Sequence, residues 1–202
     1  MKTGLRLQRA LVLAAALAVL TPLVAAHAEK PPAIISGFVT SGGGVRIHYI
    51  EAGKGRAILF VPGFTAPGWM WQKQITHFAK THRVVAMDPR AQGESSQTAE
   101  GLYPAARAGD IKAVVDQLKL APVVLVGHSM GAAEVAAYVD QFGTDTLAAL
   151  VFVDGWPDAT TTRTLSRICS NGCLAFRKTD ASGQKISFDQ AICSRSHNRK
   201  TT

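Results

Sequence analysis

Cysteine is absent from this sequence until residue 169, and all three cysteines, Cys169, Cys173 and Cys193, lie in the last stretch of the 202 residues. An odd count leaves at least one thiol without an internal partner, an awkward load for a protein in an oxidising compartment. Charge is also sparse, at 18% of residues against 47% hydrophobic, which argues against disorder and for one domain with a real core. Acidic side chains are missing from residues 1–28 and nearly missing after residue 160. The formal charge of +8 is therefore unevenly spread: residues 29–159 sum to −1, while residues 160–202 contribute +6. A basic tail reads as a solvated segment. Nucleic-acid binding calls for a patterned basic surface with aromatic platforms, and none is visible, so nucleic acid is not an expected partner.

Long apolar runs are missing as well, with one exception at the start. Lys2, Arg6 and Arg9 precede an apolar run from Ala10 to Val24, followed by Ala26-His27-Ala28. A charged start, a short apolar core and small residues at a cleavage position describe an export signal over residues 1–28, cut after Ala28. The run is short for a membrane span. The expectation is a periplasmic or secreted protein with no stable membrane insertion after cleavage; the oligomeric state stays open.

Past Pro31-Pro32, residues 34–40 and 45–50 read as a hairpin of strands around Ser41-Gly42-Gly43-Gly44. The pattern then becomes continuously apolar in Ala57–Val61, Arg83–Met87, Val123–Val126 and Leu147–Val153, the mark of strands buried on both faces. Helices are expected at 68–80, 103–120 and 130–142, the second with Ile111, Val114, Val115 and Leu118 on one face. Strands alternating with helices imply an α/β fold, a mostly parallel doubly wound sheet that binds ligands beyond the carboxyl ends of its strands.

The chemistry-bearing motif falls at such an end. Gly127-His128-Ser129-Met130-Gly131 fits G-x-S-x-G between a buried strand and a helix. A turn that tight strains its central residue, needs glycine on both flanks, and lifts the serine hydroxyl clear of the sheet at a helix N-terminus. Ser129 is the candidate nucleophile; His128 beside it reads as structural. Acyl transfer builds negative charge on an oxygen, which two fixed backbone N–H groups can receive. Met130, after the serine, supplies one. The loop Val61-Pro62-Gly63-Phe64 supplies the other, with Phe64 N–H as candidate donor and Gly63 permitting close approach. The alternatives are an ordinary helix cap at Ser129 and a plain Pro-Gly turn at 62–63. Trp69, Met70 and Trp71 are candidates to line a substrate pocket, Trp69 foremost, with core packing as the competing reading.

Those motifs, with Asp88-Pro89-Arg90-Ala91-Gln92-Gly93-Glu94-Ser95, resemble the α/β-hydrolase superfamily over about residues 35–155. The octapeptide is similar to the D-x-R-G-x-G-x-S loop of that family, with Ala91 where glycine is usual; in the family this loop is structural, so Asp88 and Arg90 are expected to brace it. The resemblance points to esterase-like members, because dehalogenases and epoxide hydrolases of this fold carry aspartate at the elbow. It implies a serine hydrolase acting on an ester-like bond in a small molecule, with no cofactor and no metal. It also implies an acid and then a histidine after the serine. Asp154 stands where a minority of relatives hold the acid. His48, His77 and His82 precede the nucleophile, and only His197 has the required order.

Residues 160–202 lack any visible strand or amphipathic helix. The sheet is therefore expected to be incomplete after about the sixth strand, with Leu147–Val153 left as an apolar edge. The abrupt change of character suggests a segment read out of frame or a truncated gene. Cys169, Cys173, Cys193 and His197 also admit a zinc reading at unusual spacings. A catalytically incomplete fragment, or a binding protein that keeps the pocket without chemistry, competes with the enzyme.

Overall fold

In the computed structural model, the described residues are 32–155 and the backbone of 174–177. They form one seven-stranded sheet flanked by helices. The expected export signal (residues 1–28) and most of the basic tail, including Cys169, Cys173, Cys193 and His197, lie outside the described residues.

Strand β1 (Ile34–Thr40) turns back through a 3-10 turn at Gly42–Gly44 into β2 (Arg46–Ala52), antiparallel to it. Then follow β3 (Ala57–Val61), β4 (Arg83–Met87), β5 (Val123–His128), β6 (Leu147–Val153) and β7 (Leu174–Arg177). Their order across the sheet is β1-β2-β4-β3-β5-β6-β7. β2 meets β4 antiparallel, and every later pairing is parallel.

The uninterrupted apolar strands are explained by two cores, one on each face. Leu59, Val61, Val85, Met87 and Leu125 point to one side, where α2 (Pro104–Gln117) and α3 (Met130–Phe142) bury Ile111, Val114, Val115 and Val135. Ile58, Phe60, Val84, Ala86, Val124 and Val126 point to the other, against Ile75 of α1 (Gln72–Phe78) and Trp71 just before it. Alternate residues of one strand thus feed opposite cores.

Two expectations change. The helix expected over 68–80 is split into a 3-10 turn, Gly68–Trp71, and the short α1. Gly68 is the cause: it sits on the β4 backbone, where a Cβ would stand 2.9 Å from the Ala86 carbonyl oxygen, and its N–H donates to Asp88 Oδ1 at 2.5 Å. That anchor holds the first turn off the α-helical path. The expected edge at Leu147–Val153 also moves outward, by one short strand. Leu174–Arg177 pairs in parallel with β6, from Leu150↔Leu174 to Val153↔Arg177, so β6 is an inner strand. Four residues are too few for periodicity to stand out in a polar, basic stretch. Among the described residues, no helix is long and apolar enough to cross a membrane.

Candidate active site

β5 ends at His128 and α3 begins at Met130, leaving one residue to make the corner. Ser129 takes φ 52° and ψ −120°, a region that costs an L-residue about 1–3 kcal/mol. Neighbouring backbone holds it there: Ser129 N–H donates to the Val153 carbonyl at 3.0 Å, and its own carbonyl accepts from Ala132 at 3.0 Å. The flanking glycines answer to close approach. A Cβ on Gly127 would lie 2.6 Å from the Gly131 oxygen, and one on Gly131 would lie 2.5 Å from the Val61 oxygen. Ser129 is left exposed at the helix N-terminus.

Two loops close on it. From β3, Gly63 comes so near that a Cβ there would meet Ser129 Cβ at 2.9 Å. From β6, Gly155 covers the elbow's backbone, where a Cβ would meet the Ser129 oxygen at 2.5 Å. Phe64 is the residue after Gly63, and Asp154, exposed, the residue before Gly155. Met130 N–H heads α3 and has no intrahelical acceptor. The structure therefore gathers Ser129, the Phe64 and Met130 backbones and the Asp154 loop at one end of the sheet.

Strain collects at the same end. Among the described non-glycine residues with positive φ, Thr65 (59°), Ala91 (60°), Ser129 (52°) and Asp154 (45°) follow β3, β4, β5 and β6 respectively, while Lys119 (54°) precedes β5. Such outliers persist where surrounding structure over-determines them, and they concentrate at functional sites. Sequence pattern did not single out Thr65 or Gly155, because a positive φ at Thr or a glycine packed on a distant loop leaves no periodic signal.

The tryptophans divide. Trp71 is core, 5% exposed and stacked on Phe60 at 4.5 Å between ring centres. Met70 packs partly buried against the same core. Trp69 is 68% exposed and Phe64 69%, both on the segment after β3. His128 is half-buried, edge-on to Trp71 at 6.0 Å, with its Nδ1 buried and without a hydrogen-bond partner.

A buried His–Asp pair exists, but it belongs to the loop after β4. His48 Nδ1 lies 2.9 Å from Asp88 Oδ2, which also accepts from Glu94 N–H at 2.8 Å. Ser95 hydroxyl donates to the Asp88 carbonyl at 2.7 Å and accepts from His48 N–H at 2.8 Å. Asp88 thus ties β2, the Gly68 turn and its own loop together. Arg90 braces the same loop by donating twice to Asp110 on α2, at 2.7 and 2.6 Å. His82 is occupied by the Thr81 hydroxyl at 2.8 Å, and His77 stacks edge-on with Phe78. None of these three histidines is brought to Ser129.

A nucleophile-type corner between a parallel strand and a helix, faced by a strained loop from β3, characterises one fold family. The family model described as the alpha/beta hydrolase fold matches residues 56–183, more than half of the chain.

The chain belongs to that family.

Among relatives of this hydrolase-fold chain, a non-heme haloperoxidase of Rhodococcus erythropolis is 38% identical over 121 residues, covering 59% of this chain and 44% of that protein. A bifunctional esterase/perhydrolase of Acinetobacter calcoaceticus is 38% identical over 124 residues, covering 60% and 45%. A solved epoxide hydrolase without ligand superimposes with a TM-score of 0.59 at 22% identity, over 69% of this chain and 52% of that one, a likeness of fold alone. The chain spans less than half the length of these two curated relatives.

Among the described residues, no group of His, Cys, Asp and Glu is clustered to hold a metal ion. The zinc reading falls outside them.

Proposed function

We propose that this chain carries the nucleophile half of a serine hydrolase that cleaves an ester-like bond in a small molecule through an acyl-enzyme. Ser129 Oγ passes its proton to a base and bonds to the acyl carbon. The carbonyl electron pair moves onto oxygen, which the Met130 and Phe64 N–H groups receive. Its return expels the alcohol, which takes up the proton, and leaves acyl-Ser129; water then repeats the route and frees the acid. The observation that carries this reading is an exposed Ser129 at φ 52°, ψ −120°, with the Gly63–Phe64 loop packed on its Cβ side. The kinship with a protein named esterase/perhydrolase supports the substrate class.

Asp154 is our candidate acid. It follows β6, the strand whose carbonyl pins Ser129, and adjoins the glycine that covers the elbow. A serine without a base is a poor nucleophile near neutral pH. His197 is the histidine that follows Asp154 in the chain, and it lies outside the described residues. Trp69, exposed beyond the oxyanion loop, is our candidate substrate contact. Residues 1–28 are our candidate export signal, on the charged start, apolar run and Ala26-His27-Ala28.

A fluorophosphonate probe on the purified chain tests the reading. Covalent labelling that disappears in Ser129→Ala and slows at least ten-fold in Asp154→Asn is expected. A folded protein that never labels would instead favour a non-catalytic fragment or a binding protein.

A further inference from the structure

Four charged side chains are buried together where α2 and α3 meet the loop after β4. Arg90 is 8% exposed, Arg107 3%, Asp110 0% and Glu134 1%. Their charges cancel, yet the two acids are served differently. Asp110 has an Arg90 donor on each oxygen. Glu134 has one donor, Arg107 Nη1 at 2.8 Å on Oε1, while Glu134 Oε2 and Arg107 Nε are buried without partners. Arg107 Nη2 donates to the Arg90 carbonyl at 3.3 Å, so its guanidinium spans from α3 to the loop.

A buried carboxylate with a single donor has lost more hydration than that bond restores. A proton on Oε2 is the direct remedy. Burial pushes the Glu134 carboxyl up to about 7, against the downward pull of Arg107 and with a further push from Asp110. The charged groups facing it are Arg107 and Asp110 from α2, with Arg90 behind Asp110 from the loop. Lys112 and Asp116 pair with each other farther along α2. The strands beneath α3 offer apolar side chains, apart from His128 at the end of β5, which is turned to Trp71.

Glu134 lies on the helix that Ser129 caps, about 7.5 Å along its axis from the elbow. We propose that Glu134 is a proton-sensitive positioning residue: its neutral form seats α3 firmly against α2 and the Asp88–Ser95 loop, and its ionised form loosens the helix that presents Ser129. The consequence for reactivity rests on the serine-hydrolase reading; the proton sensitivity does not.

Linkage gives the sign. The folded value is raised from 4.5 to about 7, so the folded chain holds a proton that the unfolded chain releases. The Glu134 share of stability is full below 4.5, falls as pH rises, and is gone above about 7. Urea denaturation of the full chain at about pH 5 and about pH 8 reads this directly. The wild-type midpoint is expected to fall, while Glu134→Gln, which keeps an acceptor for Arg107, stands above wild type by on the order of 1 M urea at the higher pH. Equal pH dependence in both proteins would overturn the proposal. Should Glu134→Gln not fold, carboxyl 13C NMR of wild type decides: one glutamate titrating near 7 is expected, and none above the ordinary range overturns it. Fluorophosphonate labelling supplies the positioning readout. The variant-to-wild-type rate ratio should rise several-fold from the lower to the higher pH, and a constant ratio removes the positioning role. If wild type never labels, the hydrolase reading falls with that role, and midpoints and NMR still decide the proton sensitivity.

Discussion

Ala91 shows how one side chain can sit where its neighbours, not its own preference, put it. It holds φ 60° in the loop after β4, with its N–H bonded to the Ser96 carbonyl at 3.0 Å. A β-carbon there costs about 1–2 kcal/mol, while glycine costs about 0.5–1 kcal/mol through the unfolded chain. Ala91→Gly is therefore expected to stabilise the protein by about 0.5–1 kcal/mol. Denaturation that finds the variant weaker than wild type would show that the loop, not the residue, bears the strain. Ser129 makes the opposite trade. Its strain is comparable in kind, but it leaves the hydroxyl exposed beside Gly63, and relief of the strain would withdraw the group.

At the level of elements, what holds α2 against the sheet and its loops is not apolar contact alone. Asp110 is wholly buried and fills both oxygens with Arg90 donors. Truncating it strands a guanidinium in the interior, and breaking a buried pair this way costs about 3–5 kcal/mol. Asp110→Ala should lose that much in urea denaturation. The exposed pair Lys112–Asp116 on the same helix supplies the contrast: Lys112→Ala should change stability by less than about 0.5 kcal/mol. Similar losses in the two variants would contradict the claim that burial decides the worth of these pairs. Because Asp110 and Glu134 lie on neighbouring helices with linked arginines, the loop that starts at Asp88 and the helix that starts after Ser129 are coupled through buried charged side chains.

Across the whole molecule, the described sheet has one antiparallel border, and β1 forms it. Ile34, Ile35 and Phe38 are exposed on that strand, at 45%, 59% and 42%. Phe38 is covered in part by the Arg46 guanidinium, 4.0 Å above its ring. An apolar edge of this sort favours pairing between molecules. Ile35→Lys should lower concentration-dependent light scattering while moving the denaturation free energy by no more than about 0.5 kcal/mol. Unchanged scattering would place self-association, if any, elsewhere.

Much of this was legible before any fold was drawn. The buried strands were marked by unbroken apolar runs, because each feeds two cores at once. The G-x-S-x-G corner was legible because its glycines answer to steric limits two residues away. The short β7 and the split before α1 were not. A four-residue strand has no period to display, and Gly68 breaks the helix only because Asp88, a distant residue, claims its N–H.

By itself the sequence determined the alternation of strand and helix, the elbow at Ser129 and the candidate oxyanion loop, since these follow from local sterics and hydrophobic period. Only the tertiary structure decided which loops converge on that serine, that His48 serves Asp88, and that Glu134 lies half-satisfied in the interior. Those outcomes depend on which residues, dozens of positions apart, are pressed together when the two cores form, and no local pattern encodes that distance.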